Sequence, residues 1–124
     1  MNHLGDFKQE LIKDYNDINR QLFDIGVKHQ KVEIIGDKVI ILANHKRIPS
    51  LKCLDESNRL VTRLTDISII ENFKVQLKKT IEEKYNMKIN AILKDYDPAT
   101  EYSGTIIILE REVSYYLTEQ FMKV

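Results

Sequence analysis

The sequence predicts an α+β domain: helix, two strands, helix, two strands and a short C-terminal helix. The sheet is four-stranded and mostly antiparallel, with the helices packed on one face. Three observations predict it. Apolar residues recur at helical spacing from Phe7 to Ile25 and again from Leu60 to Tyr85. Two β-branched runs meet at Gly36-Asp37, and a second pair of strand-like runs lies between about Met87 and Arg111.

In the first segment Phe7, Leu11, Tyr15, Ile18, Leu22 and Ile25 are three or four residues apart and form one stripe of a helix. Asp6 suits the N-cap and Gly26 the C-terminal stop. The stripe reads as core packing or as a partner helix. In the hairpin, a two-residue Gly36-Asp37 turn sets Ile35 beside Lys38, Ile34 opposite Val39 and Val32 opposite Ile41. Those apolar residues share one face with Ala43. The other face carries Glu33, Ile35, Lys38, Ile40 and Leu42 and is half apolar. With helices on only one side, Ile35, Ile40 and Leu42 need cover, from a second copy of the chain or from a helix of the same chain.

Residues His45 to Asn58 read as irregular around Ile48-Pro49, with a short helix near Leu51 to Glu56. Leu60, Leu64, Ile67, Ile70, Phe73, Leu77, Ile81 and Tyr85 then mark a long helix, with a restart at Asp66 as the alternative. Asn86 suits a left-handed stop. Ile89, Ala91 and Leu93 alternate with Asn90, Ile92 and Lys94 as a half-buried strand. Asp97-Pro98 bends the connection, and Thr105 to Arg111 is apolar enough for a central strand. Val113, Leu117 and Phe121 mark the last helix.

Length and composition fit one domain over residues 1–124, 43% hydrophobic and 31% charged. Lysine plus arginine balances aspartate plus glutamate at 19 each, so no global field argues for nucleic acid. Apolar runs fall far short of the roughly 20 residues of a membrane span. That predicts no direct membrane insertion. The absence of a basic, apolar leader and the single Cys53 predict a cytoplasmic protein.

Chemistry-bearing residues are sparse. His45, Lys46, Arg47, Lys52, Arg59 and Arg63 give a basic stretch, with Asp55 and Glu56 as its only acids. His45, Lys46, Arg47 and Arg63 are the candidate anion- or nucleotide-binding set; the alternative is a solvated loop. Asp95, Asp97 and Glu101 lack the glycine and glutamate an EF-hand requires at its sixth and twelfth places, which hold Thr100 and Ile106. They read as a polar turn. His3, His29 and His45 lack zinc spacing, and Cys53 has no histidine at motif spacing. No metal, cofactor or catalytic residue is expected, and the chain reads as a non-enzyme, the weakest alternative being an enzyme whose groups meet only in the fold. Tyr96, Tyr102, Tyr115 and Tyr116 near the closing strands read as interface or as scattered surface residues.

The order of elements, with Gly26-Val27 before the hairpin, Asp37 in its turn, Thr80 to Ile89 leading the long helix into the third strand, and Tyr96 to Leu109 closing the sheet, resembles the MpsC-like family of small bacterial proteins. The likeness spans roughly residues 6–112. Val27 stands where that family usually has proline, and His45 to Leu51 departs from its usual Leu-Thr opening. The resemblance implies a soluble accessory of membrane-protein partners in a membrane-potential-generating system that supports bicarbonate supply. The expected mode is a homodimer or partner complex formed through the exposed half of the sheet and the helix stripe.

Overall fold

A computed structural model describes residues 3–23 and 26–122. Ile25 of the first stripe and the side chain of Phe121 lie outside the described residues. The elements in chain order are α1 (His3–Phe23), β1 (Gln30–Ile35), β2 (Lys38–Asn44), α2 (Pro49–Asp55), α3 (Arg59–Tyr85), β3 (Ile89–Tyr96), β4 (Tyr102–Leu109) and α4 (Val113–Met122). The strands form one antiparallel sheet in the order β1-β2-β4-β3, with β4 central as its apolar run predicts.

Helix α1 buries Phe7, Leu11, Tyr15 and Ile18, so its stripe is core. It starts before Asp6, which stands in the first turn, where a carboxylate complements the positive helix end. The hairpin takes the expected register, Ile35 beside Lys38, Ile34 opposite Val39 and Val32 opposite Ile41. Val32, Val39, Ile41 and Ala43 are buried under the helices with Ile107 and Leu109 of β4. Each large apolar side chain so buried contributes roughly 1.5–3 kcal/mol.

Helix α3 runs unbroken through Thr65 and Asp66, and ends at Asn86 in the left-handed conformation, φ 54°. Its C-terminal half buries Phe73, Leu77, Ile81 and Tyr85. Its N-terminal half is different: Leu60, Leu64 and Ile67 belong to the same stripe but are exposed. At 27 residues the helix is about 40 Å long and outruns the sheet beneath it.

Strand β3 departs from simple alternation. A bulge between Ile89 and Ala91 reverses its phase. Ile89 is buried, but beyond the bulge Ala91 and Leu93 face away from the helices. Ile92, Lys94 and Tyr96 take the inner face, with Lys94 opposite the buried Thr105.

The outer face of the sheet carries no helix among the described residues. Rows across it read Ile35, Lys38, Ile108, Ala91, then Glu33, Ile40, Ile106, Leu93, then Lys31, Leu42, Gly104, Asp95. Ile35, Leu42 and Leu93 are each more than half exposed.

Candidate functional site

On the helix side, the connection 45–48, helix α3 and strand β3 enclose a cavity of about 60 Å³. Phe23, Ile48, Ile69, Ile70 and Phe73 supply apolar wall. His45, Lys46, Arg47, Asp66, Lys94 and Tyr96 supply the polar groups. Several elements converge here because the β3 bulge turns Lys94 inward and the fully buried Tyr15 of α1 meets it.

Lys94 Nζ donates to Tyr15 Oη at 2.8 Å, Ser103 Oγ at 2.8 Å and Thr105 Oγ1 at 3.1 Å. It also lies 4.3 Å from the Phe73 ring centre and 5.0 Å from that of Tyr15. All three ammonium protons are therefore used, but every acceptor is neutral. Among the described residues no carboxylate comes within ion-pair distance of Lys94. Burial accordingly pushes its pKa down to about 7.

Tyr15 Oη lies 2.7 Å from His45 Nε2. Burial, and then the charge of Lys94, push His45 down to about 3, so it is neutral near pH 7. The network is satisfied when Lys94 donates to Tyr15, Tyr15 donates to Nε2, and the imidazole proton sits on Nδ1. Burial raises Tyr15 to about 12, which keeps its hydroxyl proton in place. The His45 backbone is held on both sides: its amide donates to the Glu101 carbonyl at 2.9 Å and its carbonyl accepts from Tyr96 Oη at 2.8 Å. One turn along α1 from Tyr15, the fully buried Asn19 donates to the Tyr15 carbonyl, while its amide oxygen has no partner among the described residues.

The basic stretch is resolved into separate environments. His45, Lys46 and Arg47 line the cavity. Arg63 is exposed on α3 and is not brought to it. Arg47, 4% exposed, is committed to acids: Nε and Nη2 donate to Asp55 at 3.0 and 2.7 Å, and Nη1 to Asp66 at 2.7 Å. The hydrogen bonds to Asp55 come first in raising its pKa, ahead of the one to Asp66. The Arg47 amide also donates to the Glu101 carboxylate. Glu101, at φ 66°, follows an Asx turn in which Asp97 accepts from the Ala99 amide and the Thr100 hydroxyl. The acids of this loop thus shape the chain beside the cavity.

Sequence reasoning missed Tyr15, Lys94, Ser103 and Thr105 as a group. The available signal was a lysine two positions from Ile92 in a strand, whose inward direction depends on the bulge. Other candidates are dispersed. Ile35, Ile40 and Leu42 lie together on the open sheet face. Cys53 is exposed on α2, and no group of three or more histidine, cysteine or acidic residues fit for a metal occurs among the described residues. Tyr102 and Tyr115 are exposed, whereas Tyr116 is buried. No described helix is long and apolar enough to cross a membrane.

Comparison with known proteins gives one family. No curated protein and no solved structure matches the chain. The family described as "Na+-translocating membrane potential-generating system (MpsC)" matches residues 3–111, nearly all of the ordered elements described above. The chain belongs to the MpsC family.

Proposed function

We propose that this protein is a non-enzymatic accessory component of a Na+-translocating membrane-potential-generating system, working in the cytoplasm as a homodimer. The bicarbonate-supply role implied by resemblance is part of this reading. The observation that carries it is the open sheet face. Four strands present Ile35, Ile40, Leu42, Leu93, Ile106 and Ile108 in neighbouring register, without cover from any described element. A contiguous apolar face of this kind is a protein-association surface.

A second copy is the occupant that fits. The rim holds both signs, with Lys31 and Lys38 against Glu33 and Asp95. A two-fold axis along the strands sets β1 of one copy over β3 of the other, so that Lys31 faces Asp95 across the seam. The membrane partner then has the exposed Leu60, Leu64 and Ile67 of α3 as its docking stripe, away from the sheet interface.

Sedimentation velocity of the wild type and Ile40→Asp tests the dimer. A wild-type dimer and an Ile40→Asp monomer with unchanged circular dichroism are expected. A monomeric wild type at tens of micromolar, or an Ile40→Asp dimer, would overturn the reading. Capture from gently solubilised cells is expected to recover a membrane subunit with the wild type and to lose it with Leu64→Glu.

A further inference from the structure

The cavity on the helix side is separate from the open sheet face, and its chemistry asks for a ligand of its own. Lys94 is held there by three neutral hydroxyls and two aromatic rings, with no acid in ion-pair reach among the described residues. Its described neighbours add no counter-charge. His45 is neutral, and Asp66 is engaged by the Arg47 guanidinium. Among the described residues, the cavity wall therefore holds a cation without a counter-ion, beside apolar side chains. A buried charge in that condition is costly, and an anion that reaches it gains a charge-assisted bond in a poorly screened place.

We propose that this cavity binds a small organic carboxylate, with Lys94 as the counter-ion and the isoleucine and phenylalanine wall holding the alkyl part. A volume of about 60 Å³ admits roughly four to six non-hydrogen atoms, on the basis that a single water needs about 10–15 Å³. That is the size of acetate to butyrate. The carboxylate takes the place of one hydroxyl at Nζ, and hydroxyl rotors can turn to new partners. The apolar wall disfavours inorganic phosphate, whose charge it would strip of water without recompense.

Binding is linked to the Lys94 proton. The anion favours the ammonium form, so butyrate binding draws a proton from solution when the free amine is the resting form. Calorimetric titration of the intact protein with sodium butyrate at pH 6.5, 7.5 and 8.5, in buffers of different ionisation enthalpy, reads both affinity and proton uptake. The expected result is proton uptake at pH 7.5, with affinity falling roughly tenfold per pH unit above the pKa of free Lys94. Butyrate is expected to outbind acetate, while butyramide and phosphate give no saturable heat. Lys94→Met, which keeps an unbranched side chain but removes the ammonium group, is expected to stay folded and lose butyrate binding. Absence of saturable butyrate binding, equal binding of butyramide or phosphate, or an unchanged Lys94→Met affinity would overturn the proposal. The pH profile and the butyramide control on the wild type decide it even if the variant does not fold.

Discussion

Lys94 of β3 and Tyr15 of α1 meet at 2.8 Å across the helix–sheet interface, 79 residues apart in sequence. Tyr15 is fully buried, and its hydroxyl also meets His45 Nε2 at 2.7 Å. One oxygen thus joins α1, the chain after β2, and an edge strand. Tyr15→Phe keeps the ring contacts with Phe73 and His45 but removes that oxygen. Lys94 keeps Ser103 and Thr105, while His45 Nε2 loses its partner. Loss of a buried hydrogen-bonding group costs about 1–3 kcal/mol. Urea unfolding of Tyr15→Phe is expected to show that loss with an unchanged slope. A stability equal to wild type would mean the hydroxyl is dispensable.

The buried lysine sets a pH dependence. In the unfolded chain Lys94 returns to its ordinary value of 10.5, whereas burial holds it at about 7 in the fold. Between those values the unfolded state binds more protons, so stability rises with pH, by up to about 1.4 kcal/mol per unit. The penalty is full below pH 7 and vanishes as the solution approaches the unfolded value. His45 acts in an earlier window, between about 3 and its ordinary 6.5, with the same sign. Tyr15, raised to about 12, lowers stability only above its ordinary 10. Urea unfolding at pH 7, 8 and 9 should therefore show increasing stability in the wild type. Lys94→Met should be more stable than wild type at pH 7, with the difference shrinking toward pH 10. A flat wild-type profile would remove the argument.

The parts of this fold that local pattern controls were legible in the sequence. Gly36-Asp37 between β-branched runs specified the β1–β2 register, because a two-residue turn leaves one pairing. Asn86 marked the end of α3 because asparagine tolerates the left-handed conformation. The phase of β3 was not legible: the bulge at Ile89–Ala91 turned Leu93 outward and Lys94 inward. Nor was the exposure of Leu60, Leu64 and Ile67, because periodicity marks a stripe without revealing where its cover ends. The basic run misled for a related reason. Asp66, brought back by α3, and Asp55 on α2 absorb Arg47, while Arg63 points elsewhere on the helix surface. The cavity depends on contacts among residues 15, 45, 73, 94, 103 and 105, which only the fold assembles.

Arg47 gives the third energetic test. Its planar fork bonds Asp55 twice and Asp66 once, tying the chain after β2 to α2 and α3. A lysine at 47 is a point charge and cannot serve both acids in that geometry. Arg59, 3.8 Å from Asp55 and 3.6 Å from Asp66, offsets part of the loss. Arg47→Lys is expected to cost about 2 kcal/mol, and Arg47→Met more, in denaturant unfolding. Equal stability of Arg47→Lys and wild type would show that charge alone suffices there.

Gly36 separates backbone preference from packing. Its φ is +59°, while Asp37 is not among the residues with positive φ, which fits a type II′ hairpin turn. A Cβ at Gly36 would meet only Glu112 Oε1, at 3.8 Å, an ordinary contact. Any cost of adding a side chain is therefore conformational. Gly36→Ala is expected to lose about 1 kcal/mol, since L residues resist positive φ. Gly36→Asn should lose less, because asparagine enters that region more readily. Both should keep the β1–β2 register, since Ile34, Val39, Val32 and Ile41 still face one another. Denaturant unfolding supplies the energies, and amide exchange on β1 and β2 reports the register. If alanine and asparagine cost the same, a steric cause near Glu112 would replace the conformational one.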